Sequence, residues 1–301
     1  MLGKIVRSTG SWSTVRLSDG SFVECRLRGQ FRKQGMRSTN PVAVGDNVSI
    51  EMEDETGVIT EIHDRSNYII RKSVNLSKEV HVIAANMDQA IVVATVAKPR
   101  TSYGFIDRFL CVAEAYGIKA TVVLNKMDLT DSDKLRKLTD EYIKTYINAG
   151  YTVIQTSAVS GFGIDKLQQL LKKKTTLVFG HSGVGKSSLL NALQADLDLR
   201  TGEISEVHSK GTHTTTFAEM FELDFGGFVI DTPGVKEFGM VDMTKEELYH
   251  YFPDIFNISS QCKFGNCLHV NEPGCAVKRA VDTAEISESR YSSYISILES
   301  L

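Results

Sequence analysis

The residues best suited to chemistry lie at 180–187, where the sequence reads G-H-S-G-V-G-K-S. The segment matches the pattern G-x-x-x-x-G-K-[ST], and it stands between an apolar strand-like run and an apolar helical stretch. Glycines in this context let backbone N–H groups surround phosphate oxygens at a helix N-terminus, and Lys186 neutralises the terminal phosphates. A chance glycine-rich turn is the alternative. The flanking pattern favours a nucleotide-phosphate site but does not indicate which nucleotide.

Two segments are predicted to supply the magnesium ligands that accompany such a phosphate site. The hydroxyl of Ser187 would enter the Mg²⁺ shell, and Asp231 of the D-T-P-G motif at 231–234 would bind the ion through water. Gly234 would offer its N–H to the γ-phosphate, so this loop should respond to hydrolysis. The predicted phosphate-contacting residues of the first segment are Gly180, His181, Ser182, Gly183, Val184, Gly185, Lys186, Ser187 and Ser188.

Guanine recognition is predicted from N-K-M-D at 125–128, at the end of a strand-like run. The Asp128 carboxylate can accept hydrogen bonds from guanine N1–H and the 2-amino group, neither of which adenine offers there. Lys126 is expected to pack its stem along the site, and T-S-A at 156–158 would bring backbone N–H groups to guanine O6. On its own N-K-x-D is more often a surface turn. The predicted base-contacting residues are Asn125, Lys126, Met127, Asp128, Thr156, Ser157 and Ala158.

A first switch is predicted at 210–216, where the sequence reads K-G-T-H-T-T-T. A threonine hydroxyl there could close over Mg²⁺ and the γ-phosphate, and Thr214 and Thr215 are both eligible. A polar surface loop is the alternative.

The water-orienting residue of hydrolysis is poorly specified. Many GTPases place glutamine directly after the glycine of D-x-x-G, but this chain has Val235 there, so slow intrinsic turnover is expected. His213 is the candidate replacement and His181 a weaker one, because an imidazole can hydrogen-bond water near neutral pH. For each histidine a structural or solvent-exposed role is the alternative.

A metal site is predicted from C-x4-C-x-H-x5-C, which comprises Cys262, Cys267, His269 and Cys275. Three thiolates and one imidazole suit tetrahedral Zn²⁺, and four protein ligands leave no open position, so the ion would be structural. Reduced thiols without a metal are the alternative. Cys25 and Cys111 lie in apolar patterns, which predicts that both are buried.

Three kinds of pattern follow one another along the chain. Short strand-like runs separated by turn residues extend from Gly3 to about Asp64, which is typical of a small barrel, and a connector follows at 67–75. Apolar strand runs then alternate with helical stretches to residue 234, which predicts a mainly parallel sheet covered by helices. After Met243 a helix, a cysteine-rich loop and a polar helix are expected. The predicted helices lie near 105–116, 132–148, 163–173 and 186–194.

The 301 residues carry a formal net charge of -3, which gives no argument for nucleic acid by itself. The first 37 residues nevertheless hold eight basic residues against two acidic ones. Phe22, Trp12 or Phe31 could stack on RNA bases there, although a solvated charged surface is the alternative. Residues 1–10 lack an apolar leader and no run reaches the roughly 20 residues of a spanning helix, so a cytosolic protein is expected.

The base-reading motifs precede the phosphate loop, whereas most GTPases have the reverse order. With the cysteine motif and the preceding barrel, this order closely resembles the bacterial ribosome small subunit-dependent GTPase A family over essentially the whole chain. The resemblance implies an OB-fold at 1–67, a circularly permuted P-loop GTPase domain of α/β class at 76–240, and a small α-helical zinc-binding domain at 241–301. It also implies a monomer that matures the 30S subunit late, contacts 16S rRNA and converts GTP to GDP with stimulation by the subunit.

Two other functions fit the same residues. A GTP-sensing RNA-binding protein with incidental hydrolysis is compatible with Val235. A regulatory switch acting on proteins or membranes is disfavoured by the basic barrel and by the absence of a lipidation signal at 1–10.

Overall fold

The computed structural model describes residues 1–28, 41–72, 80–197, 218–232 and 243–301. The chain forms two compact units. The first comprises Met1–Ala90, Leu171–Phe179 and Gly202–Val241, and the second comprises Ile91–Leu170, Gly180–Thr201 and Asp242–Leu301. Across the described ranges, no helix has both the length and the apolar character needed to span a membrane.

Five strands of the first unit close an N-terminal barrel: β1 (Leu2–Ser8), β2 (Trp12–Leu17), β3 (Phe22–Leu27), β4 (Asn47–Glu53) and β5 (Thr56–Ile62). β1 pairs antiparallel with both β2 and β4, and a parallel β3–β5 pair completes the ring. Inward residues such as Ile5, Val15 and Ile59 form its apolar core together with Cys25. The predicted small barrel is confirmed, with five strands, and so is the burial of Cys25.

An ion pair between a buried aspartate and a half-buried arginine fixes the chain next to the barrel. The Asp46 carboxylate is fully buried and accepts two hydrogen bonds from Arg65, from Nε and Nη2, each of 2.7 Å. The preceding residue, Gly45, has φ +93°, and a Cβ there would lie 2.0 Å from the carbonyl oxygen of Ala85. Because no side chain fits at that distance, glycine is required at this position.

Ala85 ends a hairpin that the sequence did not indicate. β6 (Tyr68–Lys72) pairs antiparallel with β7 (Val80–Ala85) to form a separate two-stranded sheet. The interpretation of 67–75 as a connector is therefore wrong for 68–72. The strand is only five residues long, and it pairs with a partner on the far side of 73–79, so no tight-turn signal joins the two runs.

The barrel surface is less basic than its sequence indicated. Arg16 forms two hydrogen bonds to Glu222, of 2.9 and 2.8 Å, and its guanidinium lies 5.5 Å from the Phe228 ring centroid. Arg26 pairs with Glu53 and Arg28 with Glu51. All three carboxylates belong to segments outside the basic N-terminal stretch, so folding brings acidic partners to it. Three more of its basic residues, Arg32, Lys33 and Arg37, lie outside the described residues, as does Phe31.

The remaining strands are β8 (Gln89–Thr95), β9 (Ala120–Asn125), β10 (Thr152–Gln155), β11 (Thr175–Phe179), β12 (Glu219–Glu222) and β13 (Phe228–Asp231). The helices are α1 (Tyr103–Ala115), α2 (Asp133–Asn148), α3 (Ile164–Leu171), α4 (Lys186–Leu193), α5 (Pro253–Ser259), α6 (Ala276–Asp282) and α7 (Glu288–Ser300). β9 and β10 are parallel, as are β11 and β13, which confirms the predicted parallel pairing. β12 is antiparallel to β13, and α6 was not predicted.

Helices α1, α5 and α7 are joined by a fully buried arginine. Arg290 of α7 is 1% exposed and donates to Asp107 of α1 at 2.9 Å and to Asp254 of α5 at 2.7 Å. Its guanidinium also lies 4.6 Å from the ring centroid of Phe252 and 5.7 Å from that of Tyr151. Burial raises the pKa of Asp107, and the Arg290 charge opposes that shift. The C-terminal helix is thus held by a buried arginine that pairs with one fully buried carboxylate, Asp107, and one nearly buried carboxylate, Asp254.

Replacement of Arg290 by methionine tests this interaction. The variant keeps the apolar volume but leaves two carboxylates buried without their cation, which should lower the free energy of unfolding by about 3–5 kcal/mol. Arg26→Gln is the control, because its exposed pair with Glu53 should contribute at most about 1 kcal/mol. Urea denaturation measures both; a loss below about 1 kcal/mol in Arg290→Met would contradict the assignment.

Candidate nucleotide and metal sites

The phosphate loop follows β11 and ends at α4, as the sequence predicted. Its glycines at 180, 183 and 185 have φ values of +153°, +80° and +91°, which side-chain-bearing residues rarely adopt. Within the described residues, the N–H groups of Gly183, Val184 and Gly185 donate no hydrogen bond. Three unused donors at a helix N-terminus can bind an anion.

The lysine of the loop is folded back onto it. The Lys186 ammonium donates to the carbonyl of Gly180 at 2.5 Å and approaches that of His181 at 3.3 Å. A phosphate bound within the loop would lie beside this charge. Ser187 and Ser188 follow in the first turn of α4, half-buried, where a hydroxyl can reach a phosphate-bound cation.

Asn125 connects the base-reading motif to the phosphate loop. It is the last residue of β9, it is 2% exposed, and its amide Nδ2 donates to the Val184 carbonyl at 2.8 Å. Its Oδ1 accepts a hydrogen bond from Thr156 Oγ1 at 3.2 Å. One side chain therefore brings together the three motifs whose order is unusual in the sequence.

The carboxylate expected to read guanine is oriented by its neighbour. Ser157 Oγ donates to Asp128 Oδ1 at 2.5 Å and accepts from the Ser160 N–H at 3.1 Å. Asp128 is half-buried, within a short 3₁₀ turn, Met127–Leu129. The serine hydroxyl thus fixes the carboxylate in one orientation.

Two of the three N–H groups in the T-S-A motif already donate to backbone carbonyls. The N–H of Thr156 donates to Leu124 O at 2.8 Å, and that of Ser157 donates to Phe162 O at 2.9 Å. The N–H of Ala158 has no acceptor among the described residues. Of the three N–H groups in the motif, that of Ala158 can meet a guanine oxygen.

Of the two predicted switch segments, only Asp231 and Thr232 lie within the described residues. Asp231 ends β13 and is half-buried, in the first compact unit, and Thr232 after it is buried. The proposed switch residues His213, Thr214 and Thr215 lie outside the described ranges, as do Gly234 and Val235.

A loop that the sequence interpretation missed lies against both motifs. Residues 96–102 join β8 to α1, and the carbonyl of Lys98 accepts from Lys126 Nζ at 2.7 Å. Thr101 is fully buried, and its Oγ1 lies 2.7 Å from His181 Nε2. The sequence signal of this loop is a polar K-P-R-T run at 98–101, shortly after a buried strand, and such a run is also typical of an ordinary turn.

The four predicted metal ligands converge. Sulfur and nitrogen donor atoms of Cys262, Cys267, His269 and Cys275 all lie within 4.8 Å of one another. His269 Nδ1 is 3.6 Å from Cys262 Sγ and 3.5 Å from Cys275 Sγ. Burial raises the pKa of the Cys267 thiol to about 12 and lowers that of His269, so a bound cation would have to stabilise the thiolate. This cluster can hold one metal ion.

Backbone and tyrosine hydrogen bonds hold the loop that carries these ligands. Ala276 N–H donates to Cys262 Sγ at 3.3 Å. Tyr291 and Tyr294 of α7 donate to the carbonyls of His269 and Leu268, at 2.7 and 2.9 Å. Burial alone would raise the pKa of Glu272, but three backbone N–H groups bonded to its carboxylate hold it below its usual value.

Comparison with known proteins agrees with this geometry. The RsgA N-terminal domain profile matches residues 2–59, and the RsgA GTPase profile matches residues 62–241. The "Small ribosomal subunit biogenesis GTPase RsgA 2" of Bacteroides thetaiotaomicron is 54% identical over 300 residues, covering 99% of this chain and 96% of that protein.

Two solved structures share the fold over almost the whole chain. YjeQ from Thermotoga maritima has a TM-score of 0.79 and 38% identity, covering 100% of this chain and 98% of that one. YloQ, described as a circularly permuted GTPase, has a TM-score of 0.75 and 33% identity, covering 99% and 94%. With the permuted motifs in contact and both profiles matched, this chain belongs to the RsgA family of circularly permuted GTPases.

Proposed function

We propose that this GTPase acts in late maturation of the small ribosomal subunit, binding the 30S particle through 16S rRNA and hydrolysing GTP to GDP and phosphate when the subunit stimulates it. Relatives of this chain are named small ribosomal subunit biogenesis GTPases, at 54% and 51% identity. The observation that carries the nucleotide part is the 2.8 Å hydrogen bond from Asn125 to Val184, which unites the phosphate and base-reading motifs.

Each motif has a distinct role in this proposal. The loop at 180–188 binds the phosphates through its N–H groups and Lys186. Asp128 reads guanine, with Asn125, Lys126 and Met127 forming the remainder of that motif, and Ala158 donates to the base oxygen. Ser187 and Asp231 would hold Mg²⁺, which supplies charge neutralisation at the phosphates when bound. Gly234, Thr214 or Thr215, and His213 as water-orienting candidate, complete the set.

We infer that the cysteine cluster binds one structural Zn²⁺. With Zn–S of about 2.3 Å and Zn–N of about 2.0 Å, a tetrahedral ion separates two sulfurs by about 3.8 Å and sulfur from nitrogen by about 3.5 Å. The corresponding distances are 4.0 Å between Cys262 and Cys275 and 3.6 and 3.5 Å from these sulfurs to His269 Nδ1. The donor set and its spacing both favour zinc.

We further propose three domains: the RNA-binding barrel at 1–67, the GTPase domain at 76–240 and the zinc domain at 241–301. The protein would act as a cytoplasmic monomer without a membrane partner. On the barrel, Trp12 and Phe22 are 43% and 61% exposed, which leaves their rings accessible for stacking on RNA bases. Arg16, Arg26 and Arg28 are already ion-paired, so other basic residues of the barrel would contact the RNA phosphates.

The ribosomal role is tested by measuring GTP turnover with and without purified 30S subunits. We expect stimulation of about 10-fold or more, since a partner that completes a hydrolytic site has a large effect on turnover. Lys186→Ala, which lacks the phosphate-binding charge, is the control and should show no stimulated turnover. Equal rates for the wild type with and without subunits would favour the alternative of a GTP-sensing RNA-binding protein.

Guanine reading is tested by Asp128→Asn. The amide can donate to the 2-oxo group of xanthine, so nucleotide preference should move from GTP toward XTP by about 10-fold or more. Competition binding against a fluorescent nucleotide measures both affinities. Asp140→Asn on the exposed surface of α2 is the control. A variant at 128 that still prefers GTP to the wild-type extent would refute the assignment.

Zinc ligation is tested by Cys262→Ser. Loss of one thiolate should release the ion and lower the melting temperature of the segment around α5 and α6, because that segment depends on the metal for its stability. Metal content by mass spectrometry and a thermal melt measure the two effects. Cys111→Ala, at a buried cysteine of α1 outside the cluster, should retain zinc. One zinc per chain in Cys262→Ser would argue against this ligand set.

A further inference from the structure

The loop at 96–102 contacts the phosphate loop at two points. Thr101 Oγ1 lies 2.7 Å from His181 Nε2, and Pro99 lies close enough to Gly183 that a Cβ on the glycine would be 3.4 Å from the proline Cδ. The edge-on ring of Phe105, with its centroid 5.3 Å from that of His181, covers the imidazole from α1. The imidazole therefore points into the protein, on the side of the phosphate loop that faces α1.

Both nitrogens of that imidazole have protein partners. Nδ1 lies 2.9 Å from the carbonyl oxygen of Ser182, which can only accept, so Nδ1 carries a proton. On the other side, Thr101 Oγ1 already accepts a hydrogen bond from the Thr95 N–H at 3.0 Å. Thr101 can then donate its own proton to Nε2, which satisfies a neutral ring with hydrogen on Nδ1.

We propose that His181 is a positioning residue of the phosphate loop: its ring, held by Thr101, fixes the peptide between Ser182 and Gly183. A trans peptide directs its C=O and N–H in opposite directions. With the carbonyl of Ser182 held against the imidazole, the N–H of Gly183 points away from the ring, and that N–H has no acceptor among the described residues. It is thus fixed as a donor for a phosphate oxygen.

The same residue also places the lysine charge. The main-chain carbonyl of His181 lies 3.3 Å from the Lys186 ammonium, beside that of Gly180. Because the ring anchors residue 181, it sets the position of two phosphate-binding groups, the N–H of Gly183 and the ammonium of Lys186. With both ring nitrogens occupied, His181 does not orient the attacking water. This inference rests on the proposed phosphate role of 180–188.

The test compares His181→Ala, His181→Gln and Thr101→Val by titration with GDP and with a GTP analogue that is not hydrolysed. In His181→Ala the N–H of Gly183 is no longer held in place, which weakens its charge-assisted hydrogen bond to a phosphate oxygen. The Kd should therefore rise by about 10-fold for both nucleotides. Thr101→Val should shift the Kd in the same direction. The double variant should be no weaker than the weaker single one, because both act through one contact.

Two further measurements separate positioning from general destabilisation. His181→Gln, whose amide can both donate to Ser182 O and accept from Thr101, should recover most of the affinity at an unchanged melting temperature. His63→Ala is the matched control, since its ring also bonds a hydroxyl, that of Ser49 at 3.0 Å, and its nucleotide affinity should equal that of the wild type.

Unchanged Kd values in His181→Ala would overturn the proposal, and Thr101→Val decides in the same way if the alanine variant does not fold. Unchanged affinity with reduced turnover at saturating GTP would assign the ring to water instead and would also overturn it. The titrations contain no ribosomal subunits, so their failure leaves the ribosomal proposal untouched. A wild-type protein that binds no guanine nucleotide would contradict the proposed function itself.

Discussion

A nucleotide site works only if the groups that bind phosphate and those that read the base are held at a fixed separation. Here the hydrogen bond from Asn125 to the Val184 carbonyl provides that constraint within one compact unit. Asn125 also accepts a hydrogen bond from Thr156, the residue after β10, so the ends of β9 and β10 and the phosphate loop meet at one buried amide. The order of motifs along the chain is free to vary as long as this contact forms, which is why permutation preserves the site.

Much of this arrangement could be predicted from local patterns. The barrel strands, the parallel pairs β9–β10 and β11–β13, and the convergence of Cys262 with Cys275 each depend on signals contained in a short stretch of sequence. Glycines with positive φ at 180, 183 and 185 likewise occur where the phosphate motif requires them. Local periodicity and motif spacing are physically sufficient for such features, because the pattern that predicts each strand or ligand set is contained within one short segment.

The features that escaped prediction depend on partners outside their own segment. The basic surplus of the barrel is reduced by Glu222, Glu53 and Glu51, none of which lies within the basic stretch at 1–37. Thr101 has no distinguishing neighbours, and its importance arises from a side chain 80 residues away. Strands β6 and β7 are separated by residues 73–79, whose sequence carries no two-residue turn signal that would have indicated the pairing. Such contacts can be identified only in the folded chain, because the partner residue comes from another segment.

The buried Arg290 has a consequence for how the second unit can deform. Sliding α7 by one turn would leave the buried Asp107 and the nearly buried Asp254 without their cation, so α1, α5 and α7 resist movement relative to one another. Tyr291 ties the same helix to the carbonyl of His269, and α1 begins one residue after Ser102, beside Thr101. The metal-binding loop and the loop at 96–102 are therefore both attached to the block formed by α1, α5 and α7, and neither can shift far without disturbing the contacts of that block.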